Sequence, residues 1–136
     1  MNSTVNLSMR PLGKNTFRTS EEVKGYHVHL YYDGRTKQYA GYLRREMERR
    51  FKGCIEVGRW RDMAPQGPHP KSHFQVSFPT DMFNQLVPFL ALNRGDLHIL
   101  LHPNTGNGYE DHTKNVMWIG PSIPLDQNWL SQNKNV

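Results

Sequence analysis

Hydrophobic and polar positions alternate strictly in three stretches of the chain, and a period of two is the signature of a β-strand with one face buried. In residues 26 to 32, Val28 and Leu30 point one way while His27, His29 and Tyr31 point the other. In residues 73 to 78, Phe74, Val76 and Phe78 oppose His73, Gln75 and Ser77. In residues 97 to 102, Leu97, Ile99 and Leu101 oppose His98, Leu100 and His102. Between the first two stretches, Ala40, Leu43, Met47 and Phe51 recur at three- and four-residue steps, which predicts an amphipathic helix over 36 to 52 with Gly53 as its stop. Residues 54 to 60 read as a further short strand with Ile55 and Val57 on one face. A second helix runs from a cap at Thr80 or Asp81 to about Asn93, with Phe83, Leu86, Val87 and Leu90 inward and Gly95 ending it. Pro88 lacks a backbone donor, so a kink or break is expected there.

Strand, helix, strand, strand, helix, strand is the order of a ferredoxin-like βαββαβ sandwich, an α+β fold with a four-stranded antiparallel sheet. Both helices would cover one face of that sheet, and a 4-1-3-2 strand order would centre the first strand. The open face would then gather His27 and His29 in the middle, His98 and His102 on one side, and His73 and Gln75 on the other. Two imidazoles at positions i and i+2 of a strand stand roughly 6.6 Å apart at the Cα, close enough to converge on one ion. A merely solvated face would carry Lys, Glu and Thr, so the concentration of histidine argues for chemistry.

The connecting segments add two more histidines. Residues 62 to 70 hold Pro65, Gly67, Pro68 and Pro70 and predict a loop presenting His69. After the last strand, residues 102 to 108 are rich in turn formers, Asp111 is placed to cap a helical turn that contains His112, and residues 116 to 119 continue as an extended segment. Residues 1 to 23 read as a polar arm and 24 to 126 as the domain. The polar tail from residue 127 to 136 is expected to fray, with Trp129 and Leu130 as its docking points.

Charge changes the picture little. A net charge of +5 invites a nucleic-acid reading, yet five of the basic residues, Arg44, Arg45, Arg49, Arg50 and Lys52, fall on the first helix as a solvated face. An RNA-recognition sheet stacks bases on outward aromatics of its third strand, whereas here Phe74 and Phe78 face the core. Cys54 is the single cysteine, so neither an intrachain disulfide nor a thiolate zinc site is available. No apolar run approaches the ~20 residues that span a bilayer, and residues 1 to 24 lack the apolar core of a secretion signal, so cytoplasm is the expected location.

Six segments in order resemble the DOPA 4,5-dioxygenase family of small non-haem iron extradiol dioxygenases: Tyr26-His27-Val28-His29-Leu30-Tyr31-Tyr32-Asp33, Gly67-Pro68-His69-Pro70, Phe74-Gln75-Val76-Ser77-Phe78, the run from Leu86 to Gly95, His102-Pro103-Asn104-Thr105-Gly106, and Asp111-His112. The resemblance spans roughly residues 24 to 126. It implies the ferredoxin-like fold, Fe(II) as cofactor, and O2-dependent extradiol cleavage of a catechol such as L-DOPA. Its histidines map onto His27, His29, His69, His102 and His112, leaving His73 and His98 as neighbours of the site. The residues Ala64-Pro65-Gln66 before Gly67 depart from the family pattern, which more often has valine before that glycine.

Within that resemblance, His27, His29 and His102 are the expected metal ligands, with Glu56 or Asp111 as a carboxylate alternative for the third. Three protein ligands on one side leave positions for two catechol oxygens and dioxygen. His69 and His112 are the candidates for proton transfer, and Asp111 is an alternative orienting group for its neighbour. Tyr31 and Gln75 are expected to contact substrate. Taken singly, His69, His102 and His112 each have a structural explanation as loop or turn residues; the joint pattern favours a site. A metal- or small-ligand-binding protein of this fold without oxygenase activity shares the same ligands and is the alternative. The outward Tyr31 and Leu100 also predict burial against a second copy, hence a homodimer.

Overall fold

The computed structural model describes residues 17–134; most of the polar arm lies outside them. Strand β1 (Tyr26–Tyr31) is followed by α1 (Lys37–Arg50), β2 (Glu56–Val57), β3 (His73–Phe78), α2 (Phe83–Asn93), β4 (His98–Pro103), α3 (Gly108–Asp111), β5 (Met117–Ile119) and α4 (Gln127–Gln132). The sheet order is β2-β3-β1-β4-β5, with every neighbouring pair antiparallel. Its first four strands have the ferredoxin-like order, and the extended segment after α3 adds a fifth strand beside β4.

Alternation in the strands decides what each face becomes. Val28, Leu30, Phe74, Val76, Ile99 and Leu101 point to the helices and pack on Ala40, Leu43, Met47, Leu86 and Leu90, forming the main core. The turn at Asp33 starts α1, its carboxylate accepting from the backbone N–H groups of Arg35 and Thr36. Gly53 ends the helical region at φ +79°, the left-handed conformation expected of it. Much of the basic character of α1 is internally engaged: Arg44 donates to the Gly58 carbonyl and stacks on Trp60 and Phe74, while Arg49 and Arg50 pair with Glu46.

Several expectations are corrected. Helix α2 runs through Pro88 without a break, with Leu86 and Leu90 fully buried on either side of it. The strand expected over 54 to 60 pairs only at Glu56 and Val57. Beyond that it follows β3 by separate bonds, Gly58 N–H to the Gln75 carbonyl and Arg61 with His73. The tail is not frayed at its start: Asp126 caps α4 by accepting from Trp129 N–H, and Leu130 is fully buried.

That docking also corrects the reason for expecting a second subunit. Tyr31 and Leu100, on the face opposite the helices, are covered by the chain's own Ile123, Leu125 and Leu130, with Trp118 and Trp129 packed alongside. Among the described residues, no helix is long and apolar enough to cross a membrane.

Candidate active site

The half of the sheet face left open by α4 holds the histidines. Pairing of β1 with β4 sets His27 opposite His102, and pairing of β1 with β3 sets His29 opposite Gln75. The loop before β3 contributes His69, and the residue ending α3 contributes His112. With Pro68, Asn104, Gly108 and Asp111, these side chains line a cavity of about 230 Å³. A larger and more open cleft of about 500 Å³, lined by Lys24, Cys54, Glu56 and Pro79 among others, contains no histidine.

Nitrogen atoms of two imidazole groups converge within 4.8 Å of one another, His27 with His29 and His102, and His29 with His69 and His112. His29 belongs to both. Its Nε2 lies 3.3 Å from Nε2 of His102, and its ring stacks on that of His69 at 4.2 Å between centroids. The centroids of His102 and His112 are 4.3 Å apart.

Backbone carbonyls orient two of these rings. His102 Nδ1–H donates to the Pro103 carbonyl at 3.0 Å, and His112 Nδ1–H donates to the Gly108 carbonyl at 2.7 Å. A carbonyl can only accept, so Nδ1 carries a proton in both rings, and in the neutral form the lone pair is on Nε2. That is the arrangement by which proteins prepare imidazole as a metal ligand or base.

The loops are tied down by groups that carry no imidazole. Asn107 caps α3 by accepting from Glu110 N–H. Asp111, 3% exposed, accepts from Thr105 N–H and Thr105 Oγ1, both at 2.8 Å, and from Asn115 Nδ2 at 3.2 Å. Its oxygens are thereby committed to holding the loop that carries His112. In the other loop, Gln66 and His69 exchange backbone hydrogen bonds around Gly67, whose φ of +56° closes the turn. Asp126 N–H donates to the Pro68 carbonyl, and the Trp129 ring lies 3.5 Å from where a Cβ on Gly67 would stand.

Burial and neighbouring groups disfavour the protonated form of His27, His29, His69, His73 and His102. Desolvation, then the nearby rings, pushes His29 well below its ordinary value, His69 to about 2 and His102 to about 3. Burial pushes His73 to about 4 and lowers His27 as well. Neutral imidazoles are the form that ligates metal.

The sequence-predicted residues therefore divide. His27, His29, His69, His102, His112 and Gln75 come together in the cavity. Tyr31 does not line it: the ring is 1% exposed, and its hydroxyl lies 2.6 Å from His69 Nδ1, behind that histidine. His73 is buried beside His69 without lining the cavity, and His98 donates from Nδ1 to the Pro121 carbonyl, away from the cluster. Glu56 lies on β2 in the other cleft, so neither carboxylate considered as a third ligand joins the imidazole groups. Sequence reading missed Pro68, Asn104 and Gly108 as cavity walls, and the clamp of the C-terminal segment on the His69 loop; the Asp126-Gln127-Asn128-Trp129 cap and its apolar pair were the available signal.

Related proteins share this fold and much of this sequence. A solved structure of a candidate dioxygenase from Nostoc punctiforme superposes with a TM-score of 0.82 at 37% identity, covering 87% of this chain and 100% of that one. An uncharacterised 21.2 kDa protein of Botryotinia fuckeliana is 30% identical over 144 residues, 98% of this chain and 79% of that one. A DOPA 4,5-dioxygenase of Amanita muscaria is 33% identical over 111 residues, 77% of this chain but only 49% of the fungal enzyme. The sequence pattern of the Dopa 4,5-dioxygenase family matches residues 26–129, and the chain belongs to that family. Membership supports a dioxygenase role.

Proposed function

We propose that the protein is an extradiol dioxygenase that opens the ring of a catechol such as L-DOPA, with Fe(II) held by His27, His29 and His102. The observation that carries this reading is the state of His29. It is buried at the meeting point of both imidazole groups, its Nε2 faces another ring nitrogen at 3.3 Å, and its Nδ1 has no hydrogen-bond partner. A buried nitrogen without a partner is costly for a purely structural ring, and the convergence of the ring nitrogens of His27, His29 and His102 within 4.8 Å of one another is a donor set for a cation. Neutral nitrogen donors, preset at His102 by a backbone carbonyl, fit a borderline divalent metal.

Ferrous iron would supply the centre at which catechol and dioxygen are brought together. The chain's own residues do the rest. His112, with its Nε2 lone pair in the cavity, takes a proton from the catechol hydroxyl. His69, on the opposite loop, serves proton transfer at its free nitrogen. Gln75 offers an amide beside His29 to a substituent on the ring, while Pro68 supplies an apolar wall.

The test is anaerobic reconstitution with ferrous iron, followed by L-DOPA and air, with oxygen uptake and the visible spectrum recorded together. Stoichiometric oxygen consumption with a yellow ring-opened product, absent in His29→Ala, is the expected result. Tight metal binding with no oxygen consumed on any catechol would instead favour a metal-binding protein of this fold without oxygenase chemistry.

A further inference from the structure

We propose that Tyr31 is a positioning residue that pins His69 as its Nε2–H tautomer, making His69 a hydrogen-bond donor to the cavity and keeping it out of the metal's ligand set. This rests on the metal-centre reading above and deepens it.

The Tyr31 hydroxyl and His69 Nδ1 are 2.6 Å apart, and both residues are buried. A phenol has one proton to donate; an imidazole nitrogen accepts without its proton and donates with it. If Nδ1 carried the proton, the phenol oxygen would receive it and the phenol O–H would need a second acceptor. Among the described residues the hydroxyl has no other partner. Its ring is packed among Leu100, Ile123, Leu125 and Leu130, so water does not replace one. Leaving a buried donor unsatisfied is penalised, which selects the network in which Tyr31 O–H donates to Nδ1. The proton of neutral His69 is then on Nε2.

The contrast with the other rings gives this its consequence. His102 and His112 are tied to carbonyls, which fix the proton on Nδ1 and leave a lone pair on Nε2. His69 is tied to a hydroxyl that can give a proton, and the opposite tautomer results. Of the two convergent imidazole groups, the one containing His69 could hold a cation on that Nε2 only if the His69 proton moved to Nδ1 and left the buried Tyr31 O–H without an acceptor, whereas no phenol ties a ring of the group of His27, His29 and His102. The two loop histidines also take complementary parts. His112 accepts the catechol proton, and His69 presents N–H to the oxygen that loses it.

The tautomer is read directly from long-range proton–nitrogen correlation spectra of the metal-free protein labelled with 15N-histidine, His69 being assigned by the signals lost in His69→Gln. The expected result is the Nε2–H pattern in the wild type and a shift towards Nδ1–H in Tyr31→Phe. A wild-type His69 protonated on Nδ1 would overturn the proposal. Cobalt(II) titration adds a second reading. His69→Gln should hold the metal within ~3-fold of wild type, while His27→Ala should lose at least ~10-fold; equal losses would overturn the exclusion of His69. The spectrum is recorded without metal or catechol. Failure of the wild type to bind cobalt would sink the metal-centre reading and leave the spectrum to decide the Tyr31 assignment.

Discussion

His29 and His102 face one another from adjacent strands with their Nε2 atoms 3.3 Å apart, a contact made by two nitrogens of the same kind. With the His102 proton held on Nδ1 by Pro103, the pair shares one proton from the His29 side. A cation accepted by both lone pairs would replace that arrangement. His29→Ala should therefore lower divalent-metal affinity by roughly 100-fold or more, beyond what loss of an outer hydrogen-bond partner costs. Isothermal titration with cobalt(II) measures it, and near-UV circular dichroism shows whether the fold persists. Undiminished affinity would move the metal to other residues.

Acidification should unfold the metal-free protein early. Burial holds His69 at about 2, His102 at about 3 and His73 at about 4, against an ordinary value near 6.5. The unfolded chain binds these protons first, so stability is complete above about pH 6.5 and is lost as pH falls towards the folded values. Each such ring withdraws about 2 kcal/mol between pH 6.5 and 5, at about 1.4 kcal/mol per unit. The urea midpoint should drop steeply over that interval, and saturating metal, which binds the neutral rings, should delay the drop. A midpoint unchanged from pH 7 to 5 would contradict the burial of the cluster.

What the sequence disclosed follows from which constraints are local. Strand alternation alone placed Val28, Leu30, Phe74 and Ile99 in the core and put His27, His29 and His102 on the other face, because the period of two leaves no choice once one face is apolar. Tyr31 obeyed the same alternation but not the inference drawn from it. Whether an outward residue meets solvent, substrate or protein depends on Ile123, Leu125 and Leu130, which lie 90 or more positions away and carry no periodic signal. The break weighed at Pro88 does not form, for a related reason. Its missing donor is a local cost, and the burial of Leu86 and Leu90 that outweighs it is tertiary.

Asp111 holds the His112 loop through a carboxylate that receives three hydrogen bonds, two of them from Thr105. In Asp111→Asn one acceptor oxygen becomes an N–H2 donor facing other donors, which should cost about 1–3 kcal/mol of stability. Turnover should fall by at least ~10-fold because His112 loses its fixed approach, with cobalt affinity staying within ~3-fold if the metal sits on the strand histidines. Urea denaturation and metal titration on the same sample separate the effects. A parallel loss of metal affinity would instead bring the α3 loop into the coordination sphere.

Leu130 joins the C-terminal helix to the sheet and, through it, to the site. It is fully buried against the cluster of Tyr31, Leu100, Ile123 and Leu125, so Leu130→Ala removes side-chain volume that the sheet cannot refill and should cost about 2–5 kcal/mol. The consequence reaches His69 because the same segment presses Trp129 on Gly67 and donates Asp126 N–H to the Pro68 carbonyl. Loosening α4 should speed hydrogen exchange at Asp126 and at the amides of the 66–69 turn while leaving β1 and β4 protected. It should also raise KM for a catechol more than it lowers kcat, since the loop wall moves while the strand histidines stay. Exchange that accelerates equally in β1 would mean that α4 supports the whole sheet, and the clamp would then be part of the core and not a separate wall of the cavity.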